Sequence, residues 1–83
     1  MPEPVSPTAL EGLLRERGLT YEAVAVLGQV ETSTISRIVR GQTRARPQTI
    51  VALARALKVS PKRLEAMALA AWGAEHPDER IPA

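Results

Sequence analysis

The amino-acid sequence predicts an all-α fold, a compact bundle of five short helices. Three observations lead there. Apolar residues recur at i, i+3, i+4 and i+7, as in Ile50, Leu53, Ala54 and Leu57, a spacing that places them on one helix face. Residues that start and stop helices separate these runs: Thr8, Thr20 and Ser60 before them, Gly18 and Gly41 after them, Pro47 and Pro61 in first turns. No segment alternates apolar and polar residues for long enough to make a strand.

The first helix is expected from Thr8 to Arg17. Thr8 and Glu11 have capping-box spacing, Leu10, Leu13 and Leu14 share a face, and Gly18 stands at the stop. Thr20 can cap a second helix over Tyr21 to Leu27, whose Val24, Ala25 and Leu27 suit close packing, and Gly28-Gln29 marks a turn. The third helix lies within VETSTISRIVRG, Val30 to Gly41. After the loop QTRAR, a fourth begins at Pro47, where a first-turn proline is tolerated. A fifth is expected from Pro61 to about Trp72, with Ser60 as N-cap and Val59 and Leu64 spaced as a hydrophobic staple. Residues 8–72 then form the folded domain, with tails at 1–7 and 73–83.

Composition bounds what such a chain can do. With 83 residues, 45% of them hydrophobic, there is material for one modest core. Without cysteine, neither disulfides nor thiolate metal ligands are available, so stability must come from packing. The lone histidine, His76, lies in a polar, Pro-containing stretch where a solvated residue is the expectation rather than a catalyst or ligand. The N-terminal MPEPVSPT has neither the basic region nor the apolar run of a secretory signal, and no stretch reaches the roughly 20 apolar residues of a membrane span. A cytoplasmic protein is expected, with no cofactor and no metal. No glycine-rich phosphate loop or spaced carboxylate pair is present, so no enzyme is expected.

The net charge of +2 is unevenly distributed. Residues 1–30 carry two basic and four acidic groups, net −2, and residues 64–83 carry one and four, net −3. Residues 31–63 carry eight and one, net +7. A central basic block is the footprint of a polyanion-binding surface, because each cation placed near a phosphate releases a condensed counterion. A chain with one Trp, one Tyr and no long basic amphipathic helix fits neither a membrane surface nor a base-stacking single-strand platform.

The basic block begins at the third helix. At 100° per residue, Ile35, Ile38 and Val39 fall on one flank with Thr34 at their edge, and Ser33, Ser36, Arg37 and Arg40 gather opposite. One face is built for burial. The other is a solvated surface or a binding surface.

From Leu13 to Leu64, LLRERGLTYEAVAVLGQVETSTISRIVRG followed by TIVALARALKVSPKRL resembles the helix-turn-helix domain of the lambda repressor and Cro family, also called the XRE family. RGLT, STISRIVRG and ALARALKVSPKRL carry the resemblance, at spacings that align without a gap. It implies a bundle that lays its third helix into the major groove of double-stranded DNA. Carried over, it assigns base reading to Thr32, Ser33 and Arg37. It assigns backbone contacts to Thr20, Tyr21, Ser36, Arg40, Gln42, Arg44 and Arg46. Arg37 can offer a bidentate fork to guanine O6 and N7, and Thr32 and Ser33 short hydroxyls. Arg55, Lys58 and Lys62 are read as solvated charge.

The sequence departs from this family in three places. Tyr21 stands where a phosphate-contacting glutamine is usual, and its hydroxyl can do that work or its ring can pack. Glycine falls at Gly28, one residue before its usual place, so either Gln29 takes a left-handed conformation or the turn is reshaped and the third helix slips by one. Leu14 and Val39 occupy positions that often hold a buried Arg–Glu pair. Replacing both ions by hydrocarbon leaves neither unpaired.

The expected function is a sequence-specific DNA-binding transcriptional regulator, a repressor, reading with residues 32–40. The alternative is an antitoxin or other protein-interaction module on the same fold, with a protein partner. Leu69 and Trp72 lie opposite the fifth helix's core stripe of Leu64, Met67, Ala68 and Ala71, more apolar surface than one small bundle readily covers. Either a second copy covers them, giving a homodimer with a palindromic operator, or the C-terminal tail folds back over Trp72.

Overall fold

A computed structural model describes residues 5–79. Five helices follow one another: α1 (Ala9–Glu16), α2 (Tyr21–Gly28), α3 (Thr32–Val39), α4 (Pro47–Leu57) and α5 (Pro61–Glu75), before a short 3-10 turn at Pro77–Glu79. No strand occurs among the described residues, and the all-α bundle is the fold the sequence predicts.

Local chemistry sets most of the starts. The Thr20 hydroxyl accepts from the Ala23 N–H at 3.1 Å, and that of Ser60 from the Arg63 N–H at 3.2 Å. Pro47 and Pro61 stand in the first turns of α4 and α5, where a missing N–H costs nothing. The capping box expected at α1 does not form. Thr8 has φ −101° and ψ 10°, not the extended conformation that aims a cap oxygen at the first turn. Its hydroxyl lies 3.0 Å from Ser6 Oγ, and Glu11 instead pairs with Arg15 one turn on, at 3.4 Å. Exposed on both sides, that ion pair adds at most a few tenths of a kcal/mol, roughly 0.3–0.5.

The helix ends share a device. Gly18, Gln29, Gly41 and Lys58 are left-handed, with φ of 67°, 54°, 75° and 58°. In each case the next N–H reaches back to a carbonyl five residues earlier: Leu19 to Leu14, Val30 to Ala25, Gln42 to Arg37 and Val59 to Ala54. These bonds satisfy the orphan carbonyls of each last turn. Gly28 belongs to α2 itself, so the left-handed residue before α3 is Gln29, as the first of the two turn readings requires.

Two expectations along the helices are corrected. Leu27, expected in close packing, is 59% exposed. The short α2 turns Val24 fully inward and lays Tyr21 and Ala25 against the core, which leaves Leu27 beyond that stripe. The fifth helix continues past Trp72 to Glu75. The His76 ring then stacks on Trp72 at 3.5 Å and 15°, while the backbone N–H of His76 donates to the Trp72 carbonyl at 3.0 Å. His76 is therefore half-buried rather than solvated.

α5 is the hub, packed against α1, α3 and α4, and α2 rests on α3 and α4. Leu10, Leu13, Ile35, Ile38, Leu53, Leu57 and Leu64 anchor the core at 5% exposure or less. Among the described residues no polar or charged side chain is buried, and Leu14 and Val39 both belong to the core cluster. Gly41 is the tightest point of the α3–α5 seam. A Cβ there would overlap the Ala71 carbonyl oxygen and fall 2.9 Å from Glu75 Cγ.

Candidate nucleic-acid interface

α3 is divided as its sequence pattern requires. Ile35 and Ile38 are 1% exposed and Val39 8%, holding the helix against the core. On the far side Ser33, Arg37 and Arg40 are exposed, and Thr32, Thr34 and Ser36 are half-buried at the margins. Around the helix axis Ser33 points furthest from the core, followed by Arg37 and then Arg40. Arg37 leans to the Thr34 edge, and Ser36 and Thr32 lean to the Val39 edge. The seam at Gly41 fixes where this face points, because the backbone leaving α3 abuts α5 with no room for a side chain.

Two grooves border the helix. On the Arg37 edge a groove of about 450 Å³ runs between the α2–α3 turn, α3, the following loop and the start of α4. Arg37, Arg44 and Arg46 line it together with Thr34, Thr43, Gln48 and Thr49, and no carboxylate does. On the Val39 edge Tyr21, Arg40 and Gln42 line a second groove with Glu11 and Glu75. The fold thus brings the loop residues Arg44 and Arg46 to one flank of α3, and Tyr21 and Gln42 to the other. Thr20 caps α2, and the Tyr21 ring packs partly on the core beside that second groove. Sequence reasoning passed over Thr34, Thr43, Gln48 and Thr49. The available signals were the place of Thr34 beside Arg37 in α3, of Thr43 within the basic loop, and of Gln48 and Thr49 just after it.

The electrostatics favour an anion. Among the described residues the Glu11–Arg15 contact is the ion pair, and none of the cations between residues 31 and 63 has a carboxylate partner. Of these cations Arg37, Arg44 and Arg46 share one groove beside α3, where unpaired charge is available for a polyanion. The first pair of helices to consider is α2 and α3, joined by three residues and packed on each other, with the polar face of α3 outward.

A family model described as a helix-turn-helix domain matches residues 8–67. The chain belongs to this helix-turn-helix family. The match runs from the start of α1 into α5, so it spans all the elements that position the α3 face. No curated protein and no solved structure matches the chain significantly. No helix among the described residues is long and apolar enough to cross a membrane.

Leu69 and Trp72 lie outside the helix-turn-helix pair. Both are half-buried, and with Ile50, Ala45 and Ala68 they line a hollow of about 250 Å³, with Arg44 and Glu65 also on its wall. The stack of His76 on Trp72 covers one face of the indole.

Proposed function

We propose that this helix-turn-helix chain is a sequence-specific transcriptional regulator, a repressor, that binds double-stranded DNA with α3 in the major groove. The observation that carries the reading is the polar arc of α3, exposed and free of carboxylates, on a helix whose opposite face is locked into the core. Arg37 reads guanine through its planar fork, and Thr32 and Ser33 read with hydroxyls near the helix start. Phosphates are held by Ser36, Arg40, Gln42, Arg44 and Arg46, with Thr20 and Tyr21 at the start of α2. The reading is supported by the flanking positions of Arg44 and Arg46 on one groove and of Tyr21, Arg40 and Gln42 on the other.

Two copies meet through Leu69 and Trp72 in this proposal, burying the hollow beside them. A two-fold dimer places its two α3 helices about one DNA turn apart, roughly 34 Å, and so reads a palindrome. Selection of bound sequences from a random duplex pool at fixed salt tests both parts. Enrichment of a motif made of inverted half-sites is the expected result. Recovery of unenriched sequence overturns specific recognition, and enrichment of a single asymmetric half-site overturns the dimer.

A further inference from the structure

The face of α2 turned away from the core carries a second apolar stripe that DNA reading does not use. Ala23, Val26 and Leu27 stand at i, i+3 and i+4, the spacing of one helix flank, and Val26 and Leu27 are 78% and 59% exposed. Isolated exposed aliphatics need no explanation, but Leu27 also lines a groove. It lies between the α1–α2 loop, the end of α2 and the end of α4, and Leu19, Leu27 and Ala56 supply its apolar lining. The remaining charge is all of one sign: Arg17, Arg55 and Lys58 line the groove, and no carboxylate does. None of the three has an ion-pair partner among the described residues.

From this complementarity we infer that the groove is a docking site for a protein partner, an amphipathic segment with large apolar side chains at helical spacing flanked by Asp or Glu. The apolar residues of such a segment cover Leu27 and Leu19, and its carboxylates meet Arg17, Arg55 and Lys58 at the rim. That division, an apolar centre with a charged rim, is the usual anatomy of a helix laid in a groove. Glu22 lies on the far side of Val26 from Leu27, which confines an acidic partner to the Leu27 side. A duplex makes a poorer occupant, because phosphates gain nothing from an aliphatic floor. The groove shares no lining residue with the one beside Arg37, so the partner and DNA can be bound together.

The test is a library of random peptides displayed on phage, selected against the full chain, with the selected peptides then measured on Leu27→Glu and Arg55→Glu. Both positions are exposed, and circular dichroism establishes that each variant is folded. The expected result is a consensus of spaced large apolar residues with flanking carboxylates, whose affinity falls at least about tenfold on either variant while duplex affinity is unchanged. No consensus, a consensus without carboxylates, or binding indifferent to Leu27→Glu overturns the proposal. A loss of duplex affinity in Leu27→Glu makes the groove a DNA surface. A change of oligomeric state in that variant makes the occupant a second copy. Either result also overturns the proposal.

Discussion

Adding one methyl group at Gly41 should damage this fold more than any other single-carbon change at its helix ends. Two effects combine there. Gly41 has φ 75°, and an alanine in that region costs about 1–2 kcal/mol. The new Cβ would also overlap the Ala71 carbonyl oxygen and approach its carbon to 2.8 Å, against backbone rather than a movable side-chain tip. Relief requires α3 and α5 to separate by roughly 1 Å, an overpacking displacement that costs about 1–3 kcal/mol. The sum is roughly 2–5 kcal/mol, which lowers the melting temperature by at least about 10 °C in a domain of this size. Gly18 separates the two effects: its φ is 67°, but nothing lies within 4 Å of a Cβ built there. Gly18→Ala should lose only the conformational part, about 1–2 kcal/mol. Urea unfolding followed by far-ultraviolet circular dichroism and by Trp72 fluorescence measures both. Equal losses for the two variants would refute the packing argument.

Three further outcomes follow from the same geometry. Val39→Glu buries an unpaired carboxylate beside a groove already lined by Glu11 and Glu75, and should cost about 3 kcal/mol or more; adding Leu14→Arg should recover part of it, and a double variant no better than the single shows that the two sites are not coupled. Gln29→Gly removes a left-handed non-glycine residue at φ 54° and should stabilise the chain by about 0.5–1 kcal/mol in the same unfolding assay, where a loss would contradict the turn assignment. Arg44→Ala should weaken binding to all duplexes alike and make the salt dependence shallower by about one unit in log–log slope, whereas a loss confined to one sequence would make Arg44 a base contact.

The helices were legible where one physical signal dominated. Ile35, Ile38 and Val39 fixed the buried face of α3 by spacing alone, and Thr20 and Ser60 announced their helices because an isolated hydroxyl before an apolar run has one obvious use. The pattern misled where two local partners competed. Thr8 had Ser6 as well as its own first turn, and Glu11 had Arg15. Leu27 read as core because periodicity gives the spacing of a stripe but not its width, and an eight-residue helix buries only a narrow one. Gly41 was recognised as a stop, yet its contact with Ala71 depends on two helices meeting thirty residues apart in sequence, which no local pattern encodes. Similarly, the basic residues of the candidate site were visible as a charge block, but their division into two flanks of α3 required the path of the loop after Gly41.

The central claim is that the polar face of α3 reads bases rather than merely gripping phosphates, and Arg37 tests it most directly. The affinities of the native chain, Arg37→Ala and Arg37→Lys are compared on a selected duplex and on its scrambled counterpart across a salt series. Arg37→Ala should lose about 1–3 kcal/mol on the selected duplex and much less on the scrambled one, relaxing the choice at one base pair per half-site. Arg37→Lys keeps the charge without the planar fork, and should restore general affinity better than discrimination. Equal losses on both duplexes for Arg37→Ala would contradict the claim and make Arg37 a phosphate clamp.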